Sequence, residues 1–295
     1  GDTVQRQKEL HALREKIVCR QAEQYQSKFT EPLAEISAKV NDLGVRYKRE
    51  SVAYKAFHAG MDCPTCHRRV TEETLRRNVA KVLETLAENR YQDSPPAKLV
   101  AVTKTVTPRV INLLKPMEIW DIGENRAQVA LPKLPEISPE FHLHWIGRLQ
   151  TNKVKYIIDH VCLLHALDRM DLAQEIDRRA GQRGRALPVL VQVNIAQEPQ
   201  KGGMPVEEVL PFLRKMRDFS GLHVEGLMSI MPQYAGEDEL RGLFRGMRRL
   251  FDQLRDEALP NVEMRELSMG MSRDYRIAAQ EGATMVRVGT ALYQD

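Results

Sequence analysis

Between Leu99 and Gly289, eight short apolar, β-rich runs are separated by stretches with helical spacing, and this alternation constrains the fold more than any other feature. The runs cover residues 99–104, 119–123, 141–147, 161–167, 187–194, 224–229, 267–270 and 285–289, and the clearest helical stretches are 169–184, 205–219, 237–257 and 272–282. Strands that alternate with helices build parallel βα units. Eight units in so short a stretch fit a small (β/α)8 TIM barrel. An open doubly wound sheet shares the pattern, but no Gly-rich dinucleotide fingerprint follows the first run. Aromatic residues make up 6% of the chain, so such a core must be built from aliphatics and methionine.

Upstream of the alternation the texture differs. From Leu10 to Phe57 apolar residues step by three and four, and Leu33, Ile36, Val40, Leu43, Tyr47, Tyr54 and Phe57 form a heptad stripe interrupted at Glu50. This predicts a long amphipathic arm over residues 1–70, kinked or restarted at Pro32, followed by a barrel domain over 71–295. At about 1.5 Å per residue the arm would run roughly 70–80 Å, while the next helix, expected over 71–90 with Thr71 as its N-cap, would span only about 30 Å. The surplus stripe must therefore pack on the rest of the chain or on a second chain, and a coiled-coil partner helix, as in a homodimer through the arm, is the expectation. Charge follows the same division. Residues 1–70 hold 13 Lys/Arg and 9 Asp/Glu, whereas 71–295 hold 31 of each. The overall +4 thus belongs to the arm and is too small to argue for nucleic acid. No apolar run approaches the roughly 18 residues that span a bilayer. The absence of a secretory leader and the four cysteines point to the cytoplasm.

Reactive groups in a barrel lie at the C-terminal ends of its strands. Here those ends carry Lys104, Asn125, His144, Asn194, Met228, Ser268, Arg287 and Gly289. Lys104 closes an apolar run, where burial would lower its pKa and free the amine as a nucleophile. Alternatively, it ends the strand and points into solvent. The segment Ser268-Met-Gly270-Met271-Ser272 offers two hydroxyls and free amides, and Arg287-Val-Gly289-Thr290 adds two more amides. Phosphate sites after strands seven and eight recur in barrels. A lysine on strand one with such a cradle suggests pyridoxal phosphate (PLP), although a sugar phosphate would fit the cradle equally well.

Several segments carry a resemblance that decides between these. They are Ala-Val-Thr-Lys104, Gly123-Glu-Asn125, His144-Trp-Ile-Gly-Arg-Leu-Gln-Thr-Asn-Lys153, Val193-Asn194 with Lys201-Gly202, Gly226-Leu-Met228, Leu267-Ser-Met-Gly-Met-Ser272 and Val286-Arg-Val-Gly-Thr290. Over residues 71–293 the chain resembles the pyridoxal phosphate homeostasis proteins, single-domain relatives of the alanine racemase barrel. The resemblance implies that Lys104 holds PLP as an internal Schiff base. It also implies that Ser268, Gly289 and Thr290 bind the phosphate, with Gly270, Met271 and Ser272 in the same cradle. Arg287 would face the pyridine nitrogen, and Asn125, His144 and Met228 would line the ring. A guanidinium that stays protonated keeps that nitrogen unprotonated and makes the ring a poor electron sink. Departures are Thr103 for a usual serine, Arg126 for an aromatic residue and Arg148 for a frequent histidine. Alanine racemases need a second base from an additional domain, and this chain stops at Asp295. The implied role is intracellular PLP holding and delivery to PLP-dependent apoenzymes with little or no catalysis. A racemase on the same barrel is the alternative.

The arm contains Cys63-Pro-Thr-Cys66-His67, outside the resemblance. Two thiolates at this spacing are half of a tetrahedral zinc site, which a second copy, or His67 or His58, would complete. Haem attachment, a redox pair and idle thiols are the competing readings. Cys19 and Cys162 are expected to be packed and inert.

Overall fold

The structure, a computed structural model, describes residues 70–198 and 202–294. The predicted arm, with Cys19, Cys63 and Cys66, lies outside the described residues.

The first described element is helix α1 (Glu72–Glu88). Thr71 caps it as the sequence predicts: its hydroxyl accepts from the Thr74 amide at 3.0 Å, and Glu72 and Glu73 place negative charge in the first turn. The apolar face buries Leu75, Val79, Val82 and Leu86. Each is worth about 1.5–3 kcal/mol relative to exposure. A second tie is polar: the Asn78 amide donates to the carbonyls of Leu292 and Gln294 at 3.1 and 2.7 Å, fixing α1 to the last described segment.

The strands follow as β1 (Lys98–Val102), β2 (Asp121–Glu124), β3 (His142–Trp145), β4 (Val161–Leu167), β5 (Leu187–Gln192), β6 (Leu222–Met228), β7 (Val262–Met271) and β8 (Met285–Val288). All neighbouring pairs are parallel, and β8 returns to β1, closing the barrel in sequence order. The crossover helices are α2 (Pro108–Asn112), α3 (Ala127–Ala130), α4 (Val154–Ile157), α5 (Met170–Gly181), α6 (Val206–Arg214), α7 (Glu237–Asp256) and α8 (Tyr275–Gln280), and α9 (Thr290–Tyr293) follows β8. All eight predicted strands are present. The largest departure is β7, which begins five residues before the apolar run. Glu263 and Arg265 are exposed there, so the strand's entry carries no apolar signal. Opposite that entry, Gly226 has φ +148°, and a Cβ on it would lie 1.8 Å from the Glu266 carbonyl oxygen, so β6 and β7 approach closely only because this residue is glycine.

Alternation along each strand sends one set of side chains out to the helices and the other into the barrel. The outer layer holds Leu99, Ala101, Leu143, Trp145 and Leu164 among many others. The interior contains a small apolar cluster of Val100, Leu163, Ala166, Leu190, Met228 and Met285. The rest of the interior includes buried polar side chains, which is unusual for a barrel filled by layers of branched aliphatics. Among the described residues no helix is long and apolar enough to cross a membrane, and no group of three or more His, Cys, Asp or Glu could hold a metal ion.

Candidate functional site

β1 ends at Val102, paired with Gly123, and the chain turns at Lys104 and Thr105. Lys104 is therefore exposed at the open mouth, one step beyond the ladder, rather than buried within it. The turn is held from below. The Thr103 amide donates to the Gly123 carbonyl at 3.0 Å, and its hydroxyl donates to Glu124 Oε1 at 2.8 Å. Lys133 then donates to the same carboxylate oxygen at 2.8 Å and to the Thr103 carbonyl at 2.7 Å. Glu124 is buried and Lys133 half-buried, with side chains 3% and 12% exposed. Thr103 keeps the hydroxyl of the serine it replaces and uses it as an anchor. Sequence reasoning missed Lys133; it lies between Pro132 and Leu134 in a segment with no strand or helix pattern.

After β7 and β8 the sequence expects a cradle built on the amides of Gly289 and Thr290. The amides of Gly289 and Ala291 converge on one oxygen, Ser272 Oγ, at 3.1 and 3.3 Å. Two N–H groups aimed at one point are what an anionic oxygen requires. The cradle adjoins the strand that carries the lysine: a Cβ added to Gly289 would come within 3.2 Å of the Val102 Cβ, two residues before Lys104. Gly270 has φ +94°, and a Cβ there would meet the Ala278 Cβ at 2.5 Å, so the bend that turns Met271 and Ser272 toward the cradle requires glycine. Asp274 Oδ1 fixes that bend by accepting from the Met271 amide at 2.5 Å, and burial pushes its carboxyl above the ordinary range. Met271 and Thr290 are exposed. A cleft of about 500 Å³ opens here, lined by Asn78, Lys81, Ser272, Arg273, Thr290 and Ala291.

A larger cleft of about 960 Å³ lies at the exits of β2 and β3, with Asn125, Arg126, Arg148 and Lys153 on its walls. Gly147 brings the two exits together, since a Cβ on it would lie 2.5 Å from the Asn125 Cβ. Arg148 is exposed and sits 3.5 Å from Asp168. The two arginine departures thus share one basic rim.

The remaining candidates lie inside the barrel. Met228 is in the inner apolar cluster. His144 donates or accepts at two places, 2.9 Å from Asp121 Oδ1 and 2.9 Å from His165 Nε2. Ser268 is fully buried, and its hydroxyl lies 2.9 Å from His165 Nδ1 and 2.6 Å from Arg287 Nη1, so both its partners are interior side chains rather than cradle amides. Arg287 also donates to the Ser229 carbonyl at 2.7 Å. Burial lowers its pKa to about 10, which still leaves a cation at neutral pH. His165 is held neutral: burial first, then the neighbouring His144 and the Arg287 cation, keep its pKa well below the ordinary 6.5. Burial would raise the Asp121 carboxyl, but the hydrogen bond with His144 and the nearby Lys98 and His142 bring it below its ordinary value. Asp121 and His165 were not singled out from sequence, although each is a polar residue inside an apolar strand run. Cys162, expected to be packed, is exposed on β4; partial desolvation and the Asp121 charge nonetheless push its thiol up to about 12.

Residues 70–295 match the family of the alanine racemase N-terminal domain. A pyridoxal phosphate homeostasis protein of Aquifex aeolicus (strain VF5) is 41% identical over 200 residues, covering 68% of this chain and 87% of that protein. This chain belongs to the pyridoxal phosphate homeostasis protein family. The family member of Pseudomonas aeruginosa is 33% identical over 227 residues, covering 75% of this chain and 95% of that one. Among solved structures, PipY of Synechococcus elongatus PCC7942, determined with PLP bound, superposes with a TM-score of 0.67 at 31% identity, covering 75% of this chain and all of PipY. An alanine racemase of Clostridium difficile 630 shares the fold, at 17% identity and a TM-score of 0.61, with 57% of its length covered.

Proposed function

We propose that this family member binds PLP at the C-terminal mouth of its barrel and serves intracellular PLP homeostasis and delivery. The observation that carries this reading is the convergence of the Gly289 and Ala291 amides on one oxygen, against the strand that ends in Lys104. The residues present fit the group. A phosphate oxygen would accept from these amides in place of Ser272 Oγ, which accepts from them here, with Gly289 and Thr290 bordering that point and Gly270 and Met271 forming the bend beneath it. Lys104 offers a primary amine at the open mouth to hold the cofactor's aldehyde carbon as a Schiff base. Bound PLP supplies an aldehyde and a conjugated ring whose electron demand depends on its nitrogen. Arg287, still cationic at neutral pH, is the residue assigned to that nitrogen, with Asn125, His144 and Met228 on the ring side. Ser268 then acts by supporting Arg287 rather than by touching phosphate.

The cytoplasm is the proposed compartment, and PLP-dependent apoenzymes are the proposed recipients. Cys63 and Cys66 are put forward as half of a zinc site that a second copy completes through the arm, supported by their spacing alone. Metal analysis and oligomeric state of the full chain, compared with C63S/C66S, test that part. The main reading is tested by absorbance: the full chain mixed with PLP should give a visible band, and Lys104→Ala should lose it. Turnover of L- or D-alanine at a rate ordinary for enzymes would replace the carrier reading with the racemase one.

A further inference from the structure

A buried histidine pair lies inside the barrel, used by neither the cradle nor Lys104. His144 and His165 are 3% and 0% exposed, and they meet Nδ1 to Nε2 at 2.9 Å. The pair is the middle of a longer chain. Asp121 Oδ1 lies 2.9 Å from His144 Nε2, Ser268 Oγ lies 2.9 Å from His165 Nδ1, and Arg287 Nη1 lies 2.6 Å from Ser268 Oγ. The five side chains come from β2, β3, β4, β7 and β8, so the chain crosses the barrel from the entry of β2 to Arg287.

Its ends fix its direction. An ionised carboxylate only accepts and a guanidinium only donates. His144 Nε2 must therefore carry the proton given to Asp121, and Ser268 must accept from Arg287. A neutral imidazole has a single N–H. His144 has used its own, so its Nδ1 accepts, and the proton between the rings belongs to His165 Nε2. That leaves His165 Nδ1 to accept the Ser268 hydroxyl proton. With both rings neutral, every link has one donor and one acceptor. A proton added to His144 would set two N–H groups against each other unless His165 moved its own proton to Nδ1. A proton added to His165 would leave the Ser268 hydroxyl without an acceptor. The neutral state that burial imposes on His165 is the state this direction requires.

We propose that His144 and His165 are positioning residues for Arg287, forming a one-way hydrogen-bond relay that pins the guanidinium and ties it to Asp121 at the entry of β2. The relay gives the cofactor face a second input. Asp121 faces His142, whose Nδ1 is 3.4 Å away on an exposed side chain, and also the charge of Lys98 and the thiol of Cys162; at the other end Asp274 faces Arg287. A change of charge at the β2 entry therefore reaches Arg287 through three neutral groups. The inference rests on Arg287 facing the bound ring, as proposed above.

Two measurements on the full chain test it. In the first, histidine-labelled protein is followed by long-range proton–nitrogen correlation, with the two rings assigned through H144Q and H165Q. Each ring should carry its proton on Nε2 and none on Nδ1. A proton on Nδ1 of either ring overturns the relay, whether or not PLP binds. The second is PLP titration of H165F, which leaves Ser268 and His144 unsatisfied. The Kd should rise by about tenfold, and the pH midpoint of the visible band should move, while D121N moves that midpoint with a smaller change in Kd. A role confined to fold stability would lower the unfolding temperature and leave the midpoint alone, and that result overturns the proposal. If wild type gives no band at all, the PLP reading fails instead, and the tautomer measurement still decides the relay.

Discussion

Lys133→Met isolates what holds the Lys104 turn. Methionine keeps the length and apolar stem of lysine and removes the ammonium. The change strips Glu124 of the one charged partner it has among the described residues, in a position where the carboxylate is 3% exposed and its second oxygen, Oε2, has no hydrogen-bond partner. Breaking a buried pair from one side costs about 3–5 kcal/mol, because the remaining charge stays buried and uncompensated. The Thr103 carbonyl loses a 2.7 Å bond as well, which loosens the residue before Lys104. For a domain of this size that loss corresponds to roughly 6–20 °C in Tm, or about 1–2 M in the urea midpoint. Urea unfolding of K133M, followed by circular dichroism beside wild type, measures it directly. The double variant K133M/E124Q removes the stranded charge while leaving Thr103 an acceptor, and it should regain at least half of the loss. A K133M cost below about 1 kcal/mol, or a double variant no better than the single, would refute the idea that an ion pair braces this turn.

Gly226→Ala should cost more than about 3 kcal/mol in the same assay, since the new Cβ would overlap the Glu266 carbonyl and only separation of β6 from β7 relieves it; an alanine variant of near wild-type stability would show the strands are not so closely set. His165 predicts the acid side of the stability curve. Its native pKa lies well below the ordinary 6.5, so below about pH 6.5 the unfolded chain binds a proton that the native chain does not. Stability then falls by up to about 1.4 kcal/mol per pH unit as pH drops, levelling at the native value, and H165Q should flatten that slope. The Asp121 contribution is distinct, being present above its ordinary 3.8 and lost only as pH falls through its lower native value. Cys162 is exposed, yet its thiol at about 12 leaves almost no thiolate at pH 8, so peptide mapping after brief alkylation should find it largely unmodified. Rapid labelling would mean that its surroundings are more open than described.

The barrel was legible because strand entries and exits mark hydrophobic periodicity, and the eight predicted runs overlay the eight strands. The bends after β7 and β8 were legible for a different reason: Gly270 and Gly289 mark the ends of two consecutive runs, whether they serve as a cradle or as ordinary turns. Two things were not. Lys104 could be read from its run either as buried or as pointing into solvent; the ladder stops at Val102, and two residues suffice to carry the side chain into the open mouth. His144 and Ser268 sit near strand exits in sequence, and linear order says nothing about which way their hydrogen bonds point. They turn inward because Asp121 and His165, on neighbouring strands, supply partners there. Such cross-strand pairing depends on register, and short apolar runs leave register open by a residue or two.

The contact of Gly289 with Val102 also sets a timetable. A ribosome makes Lys104 long before it makes the amides of Gly289 and Ala291; the interval from 104 to 289 is 185 residues. At about 5–20 residues per second the amine waits roughly 10–40 seconds for its cradle. On the proposed site, a ligand that needs both groups would be held only after β8 has docked on β1.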